Sequence, residues 1–204
     1  MKEFRIAIRD LVSFLYASGD LSSETFQNVS ALEGTKAHQH VQNLYTADDL
    51  SEVSISLMFE AKDYLLFLNG RIDGLIKNNQ DYVLDEIKST RMNIFADAFT
   101  YNQEHLAQLK FYAYMYMKNE QLDKIDGRIT YIQISDYQTR YFNFTFYLRD
   151  LEVFVNNSID EYLEWINILE YYQKQKFDSI HWLSFPLDSY RRGQREMMSA
   201  VYQS

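Results

Sequence analysis

Three polar residues in neighbouring segments of the chain could do chemistry together: Asp73, Glu86 and Lys88. Two carboxylates that share a site can hold a hard divalent cation, and an ammonium group beside them can stabilise negative charge on a substrate. These residues lie in segments 71–76 and 82–88. In each segment, residues that favour β-structure are apolar either at alternate positions or in a continuous run. Each segment therefore predicts a β-strand.

The turn-like residues 78–81 separate these two segments and predict a hairpin. If the turn centres on residues 79–80, Asp73 faces Glu86, with Cβ atoms about 4.5–5.5 Å apart. Facing carboxylates repel, so a bound cation is predicted to offset the repulsion, and Lys88 shares their face while Ile87 points away. Two alternatives stay open: the acids could be solvated at strand ends, or the register could slip by two and separate the pair.

The composition is that of a globular protein with an acidic balance. The 204 residues suffice for one domain with a core, or for one domain plus a tail. The net charge of −9 argues against a passive nucleic-acid coat protein, but not against an enzyme with a local basic groove. There is no cysteine, which excludes disulfides and thiolate-bound zinc or iron–sulfur clusters. Neither a leader nor an apolar run of membrane-spanning length is present, which predicts a cytoplasmic protein with no membrane contact.

Two predicted helices carry further polar residues. Residues 31–45 predict a helix in which Gly34 and His38 share one face. Glycine inside a helix usually has a packing or access reason, whereas His38 could equally be a surface histidine. Residues 104–117 predict a second helix with Gln108 and Tyr112 four apart, for which a polar edge and a core tyrosine are the alternative.

The remaining sequence predicts an alternation of strands, helices and loops. Strands are predicted over residues 2–8, 52–59, 64–68, 127–135 and 141–147, helices from Arg9 to about residues 18–20 and over 148–174, and loops over 22–30 and 91–99.

Four short motifs, taken in order, resemble the RecB-type branch of the PD-(D/E)xK nuclease superfamily. They are Gly-Thr-Lys-Ala-His at 34–38, Gly-Arg-Ile-Asp-Gly at 70–74, Asp-Glu-Ile-Lys at 85–88 and Gln-Leu-Lys-Phe-Tyr at 108–112. The resemblance spans most of residues 30–115. It implies an α/β fold with a restriction-endonuclease-like core, in which a central mixed β-sheet is flanked by helices.

The same resemblance implies a catalytic site. Mg²⁺ or Mn²⁺ would be held by His38, Asp73, Glu86 and the main-chain carbonyl of Ile87, and Lys88 would help to position or activate the attacking water. Asp73, Glu86 and Lys88 would form the catalytic set. This agrees with the general requirements of phosphodiester hydrolysis, which needs an activated nucleophile and relief of the charge that develops on phosphorus.

The resemblance also implies a DNA-binding side, lined by Gln108 and Tyr112. Tyr101 and Tyr112 could stack on unpaired bases, although buried packing is the commoner role of a tyrosine. Four basic residues are available to contact phosphates, and each could equally be a solvated surface charge; they are Lys36, Arg71, Arg91 and Lys110.

Two departures from the family pattern limit what is carried over. The residue before Asp73 is Ile72 rather than proline, as is common in this branch. Several relatives carry a four-cysteine iron–sulfur clasp, which a cysteine-free chain cannot form, so no iron–sulfur cluster is expected.

The C-terminal residues resemble the entry segment of superfamily 2 helicases related to the iron–sulfur repair helicases. The matching positions are Phe185-Pro186, Tyr190-Arg191, Gln194 and Met197-Met198, and the resemblance implies that Gln194 reads the adenine of ATP. No Gly-rich phosphate loop is present, so this chain is not expected to hydrolyse ATP. We therefore predict a nuclease domain over residues 1–180 and the start of a helicase domain over 181–204, within a longer helicase–nuclease chain.

The function predicted from these resemblances is a Mg²⁺-dependent deoxyribonuclease, acting as an exonuclease on DNA ends or single strands in repair or recombination. Its partners would be DNA and the helicase domain of the same full-length chain. The alternative is a catalytically silent DNA-binding module attached to a helicase. An RNA-directed nuclease would differ only in substrate.

Overall fold

The computed structural model describes residues 2–16, 29–180 and 191–203. The chain divides into two compact units, residues 1–162 and 163–204. The predicted helix end near residues 18–20, most of the predicted 22–30 loop and the segment 181–190 lie outside the described residues. The predicted domain boundary at residue 180 stays a prediction.

The described elements alternate between strands and helices along the chain. In order they are β1 Lys2–Ala7, α1 Ile8–Leu15, α2 Ala31–Gln42, β2 Leu50–Ala61, β3 Tyr64–Asn78, β4 Asp81–Thr90, α3 Gln103–Glu120, β5 Lys124–Gln133, β6 Thr139–Tyr147, α4 Leu148–Ile180 and α5 Gln194–Gln203. The second unit contains the C-terminal part of α4 and α5. No helix within the described ranges is both long and apolar enough to span a membrane.

The six strands form one mixed sheet in the order β1-β3-β4-β5-β6, with β2 added to β3. β1 and β3 are parallel, as are β4 and β5, whereas the β2–β3, β3–β4 and β5–β6 pairs are antiparallel. A mixed sheet flanked by helices is the predicted α/β, restriction-endonuclease-like fold class, which is thereby confirmed.

One edge of β3 is shared by two strands. β2 pairs with β3 from Tyr64 to Leu75 and occupies one edge. β1 and β4 must therefore both use the other edge, β1 pairing with residues 64–69 and β4 with residues 74–78. Within the described part of the chain, residues 70–73 have no strand partner on that edge, and Asp73 lies in this gap.

The predicted hairpin is present with the predicted register. Asn78 pairs with Asp81 and Gly74 with Asp85, so the next facing positions along the strands are Asp73 and Glu86. The register has not slipped by two.

The prediction that 64–68 and 71–76 are separate strands is wrong, because both belong to β3. Gly70 lies inside the strand. A Cβ there would stand 2.5 Å from Tyr112 Cε1, so the glycine admits the tyrosine ring instead of ending the strand.

Helices α2 and α3 cover opposite faces of the sheet. Ile87 packs with Ala37 and Val41 of α2, whereas the next residue, Lys88, contacts Gln108 of α3. Successive strand residues point to opposite faces, so the two helices lie on either side. The prediction that Ile87 points away from Glu86 and Lys88 is confirmed.

Helix α2 begins with a complete capping box at Ser30. The Ser30 side chain accepts from the Glu33 backbone amide at 3.3 Å, and the Ser30 backbone amide donates to Glu33 Oε2 at 3.0 Å. Such a cap satisfies amides that the first helical turn leaves without partners. It fixes the start of the helix that carries His38.

Two glycines differ in how much space surrounds them, which gives a matched stability prediction. A Cβ at Gly74 would overlap the Tyr45 hydroxyl and stand 2.7 Å from its Cζ, whereas a Cβ at Gly34 would meet Ser89 Oγ at an ordinary 3.5 Å. We expect Gly74→Ala to lower the free energy of unfolding by about 1–3 kcal/mol through overpacking. Gly34→Ala is expected to be neutral or stabilising by up to about 1 kcal/mol, because alanine favours a helix over glycine. Urea denaturation of both variants checks this, and equal destabilisation would contradict the assigned packing.

Candidate active site

Asp73 lies in the gap along the edge of β3, where hydrogen bonds with other groups replace those of a strand ladder. Its Oδ2 accepts a hydrogen bond from the Ile87 amide at 2.8 Å, which ties the side chain to β4. Its main-chain carbonyl accepts from Gln42 Nε2 at 3.0 Å. The Asp73 side chain keeps 15% of its surface exposed, so it can still be reached.

His38 approaches Asp73 from α2. Its Nδ1 lies 3.9 Å from Asp73 Oδ1, beyond direct hydrogen-bond distance. Burial lowers the pKa of His38, against the opposing charge of Asp73. Burial also raises the pKa of Asp73, against the effects of His38 and the Ile87 amide. His38 and Asp73 therefore lie close together in the fold, as predicted.

Glu86 is buried beside Lys88. Only 1% of the Glu86 side chain is exposed, and its Oε1 lies 2.8 Å from Lys88 Nζ. Its Oε2 is buried and has no hydrogen-bond partner among the described residues. Burial raises the pKa of Glu86 to about 8, although Lys88 opposes the shift. A buried carboxylate oxygen without a partner is costly, and such a group calls for a proton or a cation.

Lys88 connects Glu86 to α3. Its Nζ donates to Gln108 Oε1 at 3.0 Å, and Gln108 Nε2 donates to the Tyr112 hydroxyl at 3.4 Å. Tyr112 is only 3% exposed, with its ring against Gly70. Burial raises the pKa of Tyr112 to about 12. Glu86, Lys88, Gln108 and Tyr112 thus form one chain of polar contacts, and the predicted DNA-binding role of the last two stays a prediction.

The donors near Asp73 suit a hard divalent cation. Carboxylate and carbonyl oxygens are the ligands that Mg²⁺ prefers, and imidazole is accepted by Mn²⁺ among others. As the side chains lie, no three histidine or acidic residues within 2–16, 29–180 and 191–203 are arranged to hold a metal ion. Glu86 instead directs Oε1 to Lys88, while its Oε2 has no hydrogen-bond partner in the part of the chain that the structure describes. The orphaned oxygen and the donor types fit the predicted ion.

The predicted phosphate contacts are at the surface or paired. Lys36 is exposed on α2. Arg71 binds Glu52, with Nε 2.5 Å from Oε2. Arg91 donates to both Glu33 oxygens at 2.6 Å. Lys110 lies over the ring of Phe154, with Nζ 4.8 Å from the centroid, and burial lowers its pKa. Their phosphate-binding roles stay predictions.

Asp85 appeared in the sequence analysis only as part of the motif at 85–88, and the buried network around it was not predicted. Asp85 is fully buried and accepts from Arg128 Nη2 at 2.7 Å, from the Tyr45 hydroxyl at 2.8 Å and from the Thr130 hydroxyl. These bonds tie β4 to β5 and to the segment after α2. All three partners lie 40 to 45 residues away along the chain, so no local pattern could have indicated them.

A second missed feature is His105, which faces the Lys88 side of the sheet. The Tyr131 hydroxyl accepts from the Asn102 amide at 2.9 Å and lies 2.7 Å from His105 Nδ1. Burial, with a contribution from Lys88, lowers the pKa of His105 to about 3. The imidazole is therefore neutral, with Nδ1 in hydrogen-bond contact with the Tyr131 hydroxyl. The spacing of His105 and Gln108, one helical turn apart, was the only sequence signal.

A strand pair with an acid on each arm, a lysine two residues after the second acid, and flanking helices is the arrangement of a nuclease core. A family profile for the PD-(D/E)XK nuclease superfamily matches residues 14–193. The chain belongs to the PD-(D/E)XK nuclease superfamily.

One solved structure shares the fold at low sequence identity. It is the crystal structure of SSO0001, with a TM-score of 0.50, 19% identity, and coverage of 78% of this chain and 77% of that chain. At this identity the likeness concerns the fold alone. No curated protein matches the chain.

Proposed function

We propose that this domain is a divalent-metal-dependent deoxyribonuclease that hydrolyses DNA as an exonuclease, in repair or recombination. The observation that carries the proposal is Glu86, buried beside Lys88 with one carboxylate oxygen unpartnered, on the strand next to Asp73. Superfamily membership supports hydrolysis of a phosphodiester bond as the reaction.

His38, Asp73, Glu86 and the carbonyl of Ile87 would hold Mg²⁺ or Mn²⁺. The bound cation would polarise the phosphate and help to generate the nucleophile from water. Asp73 is held in place by the Ile87 amide, so its free oxygen is directed toward His38.

Lys88 would stabilise the charge that develops on phosphorus and would orient the attacking water. Its Nζ is held between Glu86 Oε1 and Gln108 Oε1, which fixes its position before substrate arrives. A preorganised cation of this kind does not need to be reoriented during the reaction, which makes it effective in a site shielded from water. Gln108 thus positions Lys88.

Assignment to the RecB-type branch and attachment to a helicase domain are part of this proposal. The four motifs support the branch, and α5, which begins at Gln194, supports the tail as a structured segment. Cytoplasmic location stays a prediction, as does the role of Gln194.

Removal of metal is the first test. Purified protein is incubated with end-labelled single-stranded and blunt duplex DNA, with Mg²⁺, with Mn²⁺ or with EDTA. We expect degradation with either metal and none in EDTA, because the carboxylates cannot activate water without the cation. Undiminished activity in EDTA would contradict the mechanism. DNA affinity without cleavage under any condition would instead favour a silent DNA-binding module.

A further inference from the structure

The loop of residues 91–99, here called the 91–99 loop, holds two apolar side chains in solvent. It joins β4 to the segment before α3. Met92 is 54% exposed and Phe95 is 55% exposed, whereas Ile94 between them is fully buried. Apolar side chains that cluster in solvent mark interaction surfaces.

Several hydrogen bonds anchor the backbone of the 91–99 loop. The exposure of Met92 and Phe95 therefore does not result from a loosely held loop. The Ile94 amide donates to Gln133 Oε1 at 3.2 Å, and the Ile94 carbonyl accepts from Arg140 Nη1 at 2.7 Å. The Phe95 amide donates to the Asn93 side chain at 3.0 Å. These bonds hold the backbone of the loop so that Phe95 remains directed outward.

The position of the 91–99 loop relates it to the proposed active site. It follows the strand that carries Glu86 and Lys88. Arg91, at its start, binds Glu33 on α2, and Lys36 is exposed one helical turn further along α2. The loop begins three residues after Lys88, and Lys36 lies two residues before His38 on α2, so each is joined directly to an element that carries residues of the proposed active site.

We propose that Phe95, supported by Met92, stacks on unpaired bases of single-stranded DNA, and that Lys36 contacts its phosphates. This inference rests on the proposed function and names its substrate class as single strands or unpaired ends. In a duplex the base faces are stacked inside and unavailable to the loop. An unpaired strand offers both a phosphate and an exposed base face, and an anchored aromatic side chain binds such a face without sequence preference.

Binding measured on an inactive background separates this surface from catalysis. The Asp73→Asn variant, with and without Phe95→Ala, is titrated against three fluorescein-labelled probes of equal length. These are a mixed-sequence single strand, an abasic strand with the same phosphates, and a blunt duplex. Tyr147→Ala, which removes a 47% exposed aromatic side chain on β6, is the matched control.

We expect Phe95→Ala to weaken binding of the mixed-sequence strand about tenfold, in the range found for loss of one stacked base. Binding of the abasic strand and the duplex should change less than twofold, as should every affinity of the Tyr147→Ala control. Met92→Ala should weaken single-strand binding to a smaller extent. Thermal melting checks that the variants remain folded.

Three outcomes would overturn the inference: equal losses on all three probes, no loss on any, or no measurable affinity of the parent for the single strand. A shift in sedimentation caused by Phe95→Ala, with unchanged DNA binding, would identify the 91–99 loop as a contact between copies of the chain and also overturn it. If the wild-type protein cleaves DNA and Phe95→Ala leaves the preference for single strands over duplex unaltered, the loop surface alone is rejected. Single-strand binding that depends on Phe95, in a protein that cleaves nothing, would reject the nuclease alone.

Discussion

Lys88→Met and Asp73→Asn are each expected to reduce Mg²⁺-dependent DNA degradation by at least about a hundredfold to a thousandfold, as removal of a preorganised charge-stabilising group does. Methionine keeps the length of the lysine side chain but removes its charge. Asparagine keeps an oxygen that can accept from the Ile87 amide, so the hydrogen bond at 2.8 Å is retained. Single-turnover cleavage of a labelled strand at saturating enzyme measures the chemical step apart from binding.

Lys77→Met is the matched control for the lysine. Lys77 lies on β3 with its Nζ 4.4 Å from the centre of the Tyr82 ring, and among the described residues this Nζ hydrogen-bonds only the Gln80 carbonyl. Its replacement should leave the cleavage rate within twofold. If both Lys88→Met and Asp73→Asn retained wild-type rates while remaining folded, these residues would have no catalytic role.

Arg128→Met is expected to lower the free energy of unfolding by about 3–5 kcal/mol, because it leaves a buried carboxylate without its charged partner. Asp85 is fully buried, and Arg128 Nη2 at 2.7 Å is its only cationic contact among the described residues. Tyr45 and Thr130 would still donate to Asp85, but neither carries a charge. Equilibrium urea unfolding, followed by circular dichroism, measures the change.

Arg149→Met provides the comparison for this second experiment. The Arg149 side chain is 85% exposed and lies 3.4 Å from Asp150, itself 66% exposed. Exposed pairs of this kind contribute about 0–1 kcal/mol. Similar losses from both arginine variants would show that Asp85 does not depend on Arg128.

The sequence contained enough local signal to predict the hairpin and its facing acids. Strand periodicity and the turn residues determine which side chains face one another, so the register that brings Asp73 opposite Glu86 could be counted. The helix with Gln108 and Tyr112 was predictable from its apolar spacing. The two strands predicted on either side of Gly70 are the single strand β3, because this glycine admits the Tyr112 ring without ending the strand.

The parts of the site that could not be predicted depend on distant partners. Tyr45 and Arg128 reach Asp85 only once β3, β4 and β5 are assembled. The same is true of Tyr131, whose hydroxyl lies 2.7 Å from His105 Nδ1. Nothing in the residues 91–99 themselves indicates that Gln133 and Arg140 hold Ile94. The spacing of motifs along a chain specifies residue types, and tertiary contacts decide their orientation.

The first strand passes into a helix with no intervening loop: β1 ends at Ala7, and α1 begins at Ile8, whose side chain is fully buried. That change of direction stops the β1 ladder at the Ala7–Asn69 pair. Continued extension of β1 through residues 8–11 would let it pair with 70–73 and close the gap beside Asp73. Asp73 on β3 thus remains accessible because β1 ends where it does.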